Sequence, residues 1–210
     1  MFAPGAARFI GPEAAVAIVT GLLGALGGLS RGLLVFDVVI FALAAGLAVF
    51  FAIFFRDPER APGEGIVSAA DGRVRAIEVD GGRLRISVFM NVTNVHVNRL
   101  PLDATVSEVS DSGHGYRPAY RPEASSNVQR RYLLSTALGP VEVIQMTGVV
   151  ARRLVSFVRP GDQRRKGDRF GMVILGSRVD VLLPADRVEA TVRAGDSVRA
   201  GTSSIAREIS

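Results

Sequence analysis

The chain has 210 residues, 48% of them hydrophobic, a formal net charge of +5 and no cysteine. That length holds one domain of ordinary size with an appendage, and the missing cysteine excludes disulfides, thiolate catalysis and cysteine–zinc sites. A basic balance admits nucleic acid or an anionic membrane surface as partner. With no reading helix and no aromatic RNA-binding word, nucleic acid is set aside.

From Ala14 to Phe55 the only charges are Arg31 and Asp37. Leu33 to Phe55 is long enough to cross a hydrocarbon core, which takes roughly 20 helical residues. Ala14 to Leu29 is shorter and rich in glycine. Its Gly24 and Gly28 have the spacing that lets two membrane helices approach closely. Ser30-Arg31-Gly32 is the expected turn of a helical hairpin. Asp37 is costly in lipid unless it lies near an interface or meets a partner; four residues into its segment, it is placed at the interface. A cleaved signal peptide does not fit, because the apolar stretch is too long and is doubled. Residues 1–56 are therefore expected to be an N-terminal membrane anchor of one or two helices. Phe50, Phe51, Phe54 and Phe55 stand at its exit. All basic residues except Arg8 and Arg31 follow Phe55, and all but Lys166 are arginine, which suits a domain lying on an anionic membrane surface. Basic flanks are retained on the cytoplasmic side, so the domain is expected there, at the cell membrane.

After the Pro/Gly-punctuated linker Arg56-Asp-Pro-Glu-Arg-Ala-Pro-Gly63 the pattern changes. Leu84, Ile86 and Val88 alternate with Arg83, Arg85 and Ser87, and Val188, Ala190 and Val192 with Glu189, Thr191 and Arg193. A period of two marks half-buried strands. Turn signals recur at Asp71-Gly72, Asp80-Gly-Gly82, Gly139-Pro140 and Pro160-Gly-Asp162. Residues 57–210 thus read as one mainly β domain. Within it, Arg159-Pro-Gly-Asp-Gln-Arg-Arg-Lys-Gly167 returns as Arg193-Ala-Gly-Asp-Ser-Val-Arg-Ala-Gly201, at an offset of 34. The second copy, followed by Ile205, is similar to the hairpin of biotinyl and lipoyl domains, which pair two quasi-equivalent hairpins. The expected fold is a flattened, barrel-sandwich-like β domain with paired hairpins, preceded by a hydrophobic helical hairpin.

Between Arg169 and Pro184 an apolar run is broken by Gly176-Ser177, then resumes with Val179, Val181 and Leu183 alternating. A Gly-Ser step in a strained turn lets the serine hydroxyl attack the preceding carbonyl, and glycine there presents no side chain to obstruct it. The resulting ester can eliminate to dehydroalanine, which water converts to a pyruvoyl group and ammonia. Such a carbonyl is an electron sink for decarboxylating an amino acid. Pyridoxal phosphate, the other common sink, needs a Schiff-base lysine, and Lys166 sits in a charged turn. A serine hydroxyl wants a base. The histidines are His96, in the apolar, amide-punctuated strand Phe89–Pro101, and His114, in Gly113-His-Gly-Tyr-Arg117. Two histidines without cysteine or an HxH or HExxH word give no metal site.

Phe55-Arg-Asp-Pro-Glu-Arg60, Ser68-Ala-Ala-Asp-Gly72, Asn94-Val-His-Val-Asn-Arg99 and Phe170-Gly-Met-Val-Ile-Leu-Gly-Ser-Arg178 occur in that order. Together they resemble the short, archaeal-type phosphatidylserine decarboxylases, from about Phe54 to Ser210. The resemblance implies self-cleavage between Gly176 and Ser177, giving a large β chain 1–176 and a small α chain 177–210. Its cofactor would be the covalent pyruvoyl made from Ser177. It implies His96 as base and Asp71 as the group that orients or assists it. Its substrate would be phosphatidylserine or a related aminophospholipid such as archaetidylserine, and the chain is compatible with a homo-oligomer. Longer members carry a second histidine where this chain has Arg99, so His96 serves both steps or His114 supplies one. The family's Asn-Glu-Arg word appears as Asn127-Val-Gln-Arg130, and no role for its glutamate carries over. Arg99, Arg117, Arg121 and Arg178 lie near the matched words and are candidates for the lipid phosphate.

Two rival readings fit parts of the sequence. A non-enzymatic, membrane-tethered lipoyl-like adaptor explains the repeat and the anchor but not the His96 and Gly176-Ser177 words. A metallopeptidase on a similar scaffold lacks ligands.

Overall fold

The computed structural model describes residues 1–25, 31–115, 117, 126–148, 153–174 and 177–209, with Arg31 and Ser177 described by their main chain. These fall into two units, Met1–Pro58 and Glu59–Ser210.

In the first unit, the apolar segments form α1 (Ala7–Ala25) and α2 (Arg31–Phe54). Both helices are long and apolar enough to cross a membrane. Helix α1 starts well before Ala14 and takes in Arg8, Pro12 and Glu13, which hydropathy alone would leave outside. Packing explains the early start: Phe9 stacks on Phe55 at 4.9 Å, and tertiary contacts of this kind outweigh local propensity. Arg31 and Gly32 belong to α2 rather than to the expected turn, while Gly28 and Ser30 lie outside the described residues. Helix α1 turns glycines toward α2. A Cβ on Gly24 would come 2.9 Å from Asp37 Oδ2, and one on Gly21 3.4 Å from the Phe41 ring. Asp37 thus lies against the Gly24 backbone. The N-terminal residues run beside the end of α2, with Ala3 N donating to Phe55 O and Asp57 N to Met1 O, both at 2.8 Å.

The second unit is built of β1 (Ile66–Val67), β2 (Gly72–Asp80), β3 (Arg83–Met90), β4 (Val97–Arg99), β5 (Ala104–Ser112), β6 (Gln129–Thr136), β7 (Gly139–Thr147), β8 (Arg153–Ser156), β9 (Gln163–Arg164), β10 (Arg169–Ile174), β11 (Ser177–Pro184), β12 (Val188–Ala190), β13 (Ser197–Val198) and β14 (Ser204–Glu208). One sheet has eight strands in the order β13-β2-β3-β11-β7-β6-β5-β9, and two have three, β4-β10-β8 and β1-β14-β12. Leu84, Ile86 and Val88 of β3, Val141 and Val143 of β7, and Val179, Val181 and Leu183 of β11 fill the core. Each such side chain contributes about 1.5–3 kcal/mol relative to exposure.

The eight-stranded sheet reads the same from both ends. β13 and β9 are its edges, β2-β3 and β5-β6 its hairpins, β11 and β7 its centre. The 34-residue repeat supplies the edges, and its copies bond alike. Gly161 N and Gly195 N donate to Val106 O and Val74 O, each at 2.8 Å, and Lys166 N and Ala200 N reach Asp103 Oδ1 and Asp71 Oδ1 at 2.7 and 2.8 Å. The glycines at Gly161, Gly167, Gly195 and Gly201 have φ of +92°, +85°, +97° and +74°, a region glycine enters without steric cost. Hairpins β2-β3 and β5-β6 both carry a bulge, after Val74 and after Val106. Across the implied two-fold, Val67 N donates to Pro101 O and Arg99 N to Ala69 O, at 3.0 and 2.9 Å. The paired-hairpin fold is present, and it extends beyond the repeat to both flanking hairpins.

Candidate active site

Strand β11 begins at Ser177 in the middle of the large sheet, paired with Met90 of β3 on one side and Thr147 of β7 on the other. Strand β10, which leads to it, ends at Ile174 in a different sheet, between β4 and β8. The chain therefore changes sheets between Ile174 and Ser177; Leu175 and Gly176 lie outside the described residues, so the expected cleavage bond, Gly176–Ser177, falls at the start of β11.

His96 is brought against β10, the strand that leads to that step. The segment Phe89–Pro101 is not one strand: Asn94 N donates to Asn91 O at 2.9 Å and Asn91 N to Asn94 Oδ1 at 2.8 Å. These reciprocal bonds make a turn that ends β3 and sends the chain into β4. His96 sits at the entry to β4, and its carbonyl accepts a 3.3 Å bond from Val173 N of β10. Its side chain is fully buried, with Nδ1 2.9 Å from Asn94 O. A carbonyl oxygen only accepts, so the neutral ring carries its proton on Nδ1 and keeps the lone pair on Nε2. That is the tautomer a general base needs.

The neighbourhood is polar although it is closed to solvent. His96, Asn98, Asn127, Gln145 and Thr147 are each 0% exposed. Gln145 Nε2 donates to Asn98 Oδ1 at 2.7 Å, and Tyr132 OH to Gln145 Oε1 at 3.1 Å. Asn127 Nδ2 donates to both Thr147 O and Arg117 O at 2.7 Å, and its Oδ1 accepts Arg117 N at the same distance. Buried polar groups cost free energy unless bonded, so such a concentration at one end of an apolar core marks a place where packing yields to something else. Sequence reasoning gave Asn98 and Asn127 no role, although both lie in the matched words, and missed Tyr132, Gln145 and Thr147. The signal was present in amides interrupting the apolar runs at Val95–Leu100 and Val141–Met146.

Asp71 lies in the turn before β2. Its carboxylate takes a two-pronged bond from Arg60, through Nη1 and, at 2.9 Å, Nη2, in addition to the bond from Ala200 N. Both partners are mostly buried. The same turn reaches β4 through the bond from Arg99 N to Ala69 O. His114 is exposed; its amide and that of Gly115 donate to Ser126 O at 3.0 Å, which seats the loop against the Asn127 segment.

Of the candidate phosphate ligands, Arg121 lies outside the described residues. Arg178 makes two 2.6 Å bonds to the buried Asp180, which also accepts Arg85 at 3.0 Å. Burial works against the Arg178 charge, but the bonds to Asp180 and the fields of Asp180 and Glu78 outweigh it and hold its pKa above the usual arginine value. Arg99 is buried, with Nη1 3.0 Å from Gly167 O. Arg117 is exposed. A cleft of about 550 Å³ lined by Asp103, Thr105, Thr136, Arg164 and Arg165 lies on the β5–β9 edge. Neither histidine lines it.

The family model for phosphatidylserine decarboxylase matches residues 47–206. The chain is 40% identical over 208 residues to a phosphatidylserine decarboxylase proenzyme of Streptomyces coelicolor, covering 98% of this chain and 92% of that one. It is 43% identical over 169 residues to a proenzyme of the same name from Streptomyces avermitilis, covering 80% and 76%. A third relative is the "Putative archaetidylserine decarboxylase proenzyme" of Halobacterium salinarum, 43% identical over 169 residues, with 79% and 84% covered.

Proposed function

The chain belongs to the phosphatidylserine decarboxylase family and is a decarboxylase; on that premise we propose that it makes its own pyruvoyl group at Ser177 and uses it to convert the serine headgroup of phosphatidylserine, or of archaetidylserine, to ethanolamine. The observation that carries this reading is the buried His96, with Nδ1 tied to Asn94 O and its main chain bonded to the strand that leads into Gly176-Ser177.

In self-cleavage, His96 Nε2 takes the proton of the Ser177 hydroxyl, whose oxygen attacks the Gly176 carbonyl. The amide becomes an ester, and elimination releases the Gly176 carboxylate and leaves dehydroalanine at 177. Water then replaces the nitrogen, which departs as ammonia. The pyruvoyl carbonyl, once made, supplies the electron sink for loss of carbon dioxide. Asp71 acts through position: fixed by Arg60 and Ala200, it steadies the turn whose Ala69 carbonyl holds the end of β4.

Denaturing electrophoresis and intact mass test this. Wild type should run as chains 1–176 and 177–210, the smaller with a blocked amino terminus, and Ser177→Ala as one inactive chain. A wild type that is active while full length ends the pyruvoyl reading. A lipoyl-like adaptor would also stay whole.

The helical unit anchors the β unit at the membrane, on the cytoplasmic face where the basic flanks Arg8, Arg56 and Arg60 are retained. An anchor lets the lipid be reached without full extraction into water. A chain lacking residues 1–58 should still cleave itself. Its activity should fall far more on bilayers than on dispersed short-chain lipid; equal losses would make the helices part of the catalytic fold.

A further inference from the structure

The strand that His96 leads into, β4, and the strand that begins with Ser177, β11, belong to different sheets, so something must fix one against the other. A chain of three buried polar side chains spans the gap. Asn98 lies on β4 two residues beyond His96. Gln145, on β7, is the register partner of Val179, two residues beyond Ser177. Their amide–amide bond, 2.7 Å long, is thus set one strand repeat along from both proposed reacting residues. Tyr132 of β6 closes the chain by donating to Gln145 Oε1. All three side chains are 0% exposed.

The surrounding backbone makes room for this arrangement. On Gly171 of β10 a Cβ would lie 2.9 Å from Gln145 Nε2 and 3.1 Å from Tyr132 OH, so the strand leading to the cleavage site passes directly over the chain. Three apolar side chains would fill the same space without needing bonding partners. A buried polar link is direction-dependent, since each donor must face its acceptor. It fixes a register that apolar packing leaves loose.

We infer that Gln145 is a positioning residue for self-cleavage, which with Asn98 and Tyr132 sets β4, and hence His96, at reacting distance from Ser177. The inference rests on the reading of His96 as the base. Displacement by about 1 Å can cost on the order of 100-fold in rate, whereas deleting both partners of a buried hydrogen bond can be nearly neutral for stability. The two effects are therefore separable.

The test follows the appearance of chain 177–210 in freshly refolded full-length protein, with thermal unfolding of Ser177→Ala backgrounds measured in parallel. Gln145→Leu should both slow processing, by about 10-fold or more, and lower the melting temperature, because it strands Asn98. Gln145→Leu with Asn98→Leu should recover most of the melting temperature and still process slowly. Recovery of the processing rate together with stability would overturn the proposal and leave the chain a packing device. Wild type and His96→Ala run alongside: if His96→Ala processes at the wild-type rate, it is the base assignment that has failed, whatever the Gln145 variants do.

Discussion

The two halves of the large sheet are built alike, and the site lies where they differ. In one half, β6 turns directly into β7, with Thr136 facing Gly139 across a tight turn at Ala137-Leu138. In the other, the corresponding pair is Met90 and Ser177, but no turn joins them. The chain leaves β3 at Met90, makes β4 with His96 at its entry, builds most of the second half, and returns through β10. A hairpin has been opened: the chain departs from Met90 toward the proposed base, His96, and re-enters the sheet at Ser177, where the proposed cleavage falls. What the halves share is architecture; what only one half has is the place to look for chemistry.

The largest effect expected from that contrast is at His96, which has no counterpart in the closed hairpin. His96→Gln keeps a side chain that can bond Asn94 O but offers no base. Self-cleavage should fall by about 100-fold or more, with thermal stability little changed; the rate of appearance of chain 177–210 measures it, and an unchanged rate would pass the role to His114. Next comes Gly72, whose counterpart is Ala104. Gly72 has φ of +150°, and a Cβ there would lie 2.0 Å from Phe89 O. Gly72→Ala should cost about 3 kcal/mol or more in denaturant unfolding, while Ala104→Gly should cost about 1 kcal/mol. Comparable losses would mean that the two turns are packed alike after all.

Asp71 and Asp103 sharpen the comparison further. Each accepts the same backbone amide, from Ala200 and Lys166. Only Asp71 also holds Arg60. Asp103→Asn keeps its acceptor and should cost less than about 1 kcal/mol, leaving processing within about two-fold. Asp71→Asn weakens a mostly buried ion pair and should cost about 2–4 kcal/mol, with processing slowed through β4. If both variants process like wild type at a temperature where both are folded, Asp71 is a turn residue, as Asp103 is, and has no part in catalysis.

How much of this was legible in the sequence follows from the same halves. The edge hairpins showed themselves because their job is done by glycine and aspartate, residue types that few others can replace at a left-handed turn. Their partners, residues 66–74 and 98–106, did not, because strands need only alternation, and Asp71/Asp103 and Val74/Val106 are the sole identities. The site words around His96 and Ser177 stood out for their chemistry. Gln145, Asn98 and Tyr132 did not: their link joins β4 to the β6–β7 hairpin, with Asn98 and Gln145 47 residues apart in the chain, and no local pattern encodes it. The break of Phe89–Pro101 into two strands was hidden because Asn91 and Asn94 act through bonds to each other, and composition records only an apolar run with amides in it.

The smallest predicted effect concerns Tyr132, whose counterpart in β3 is Ile86; both are fully buried. Tyr132→Phe would make the halves more alike at this point. Burial raises the Tyr132 pKa above its ordinary value, and its bond to Ser156 and the nearby Arg130 only partly oppose this. The folded protein thus holds the phenol proton more tightly than the unfolded chain does. The stability this represents is fully present below the unfolded value, about 10, and is lost as pH rises through the folded value. Few other groups titrate there, since the chain has one lysine and three tyrosines. Wild-type stability, from urea unfolding between roughly pH 8 and pH 11, should hold level and then decline above about pH 10. Tyr132→Phe should start about 1 kcal/mol lower, having left Gln145 Oε1 without its donor, and decline less. An identical alkaline slope in both proteins would place the titration elsewhere and leave the Tyr132 hydroxyl with no more influence on stability than Ile86 has without one.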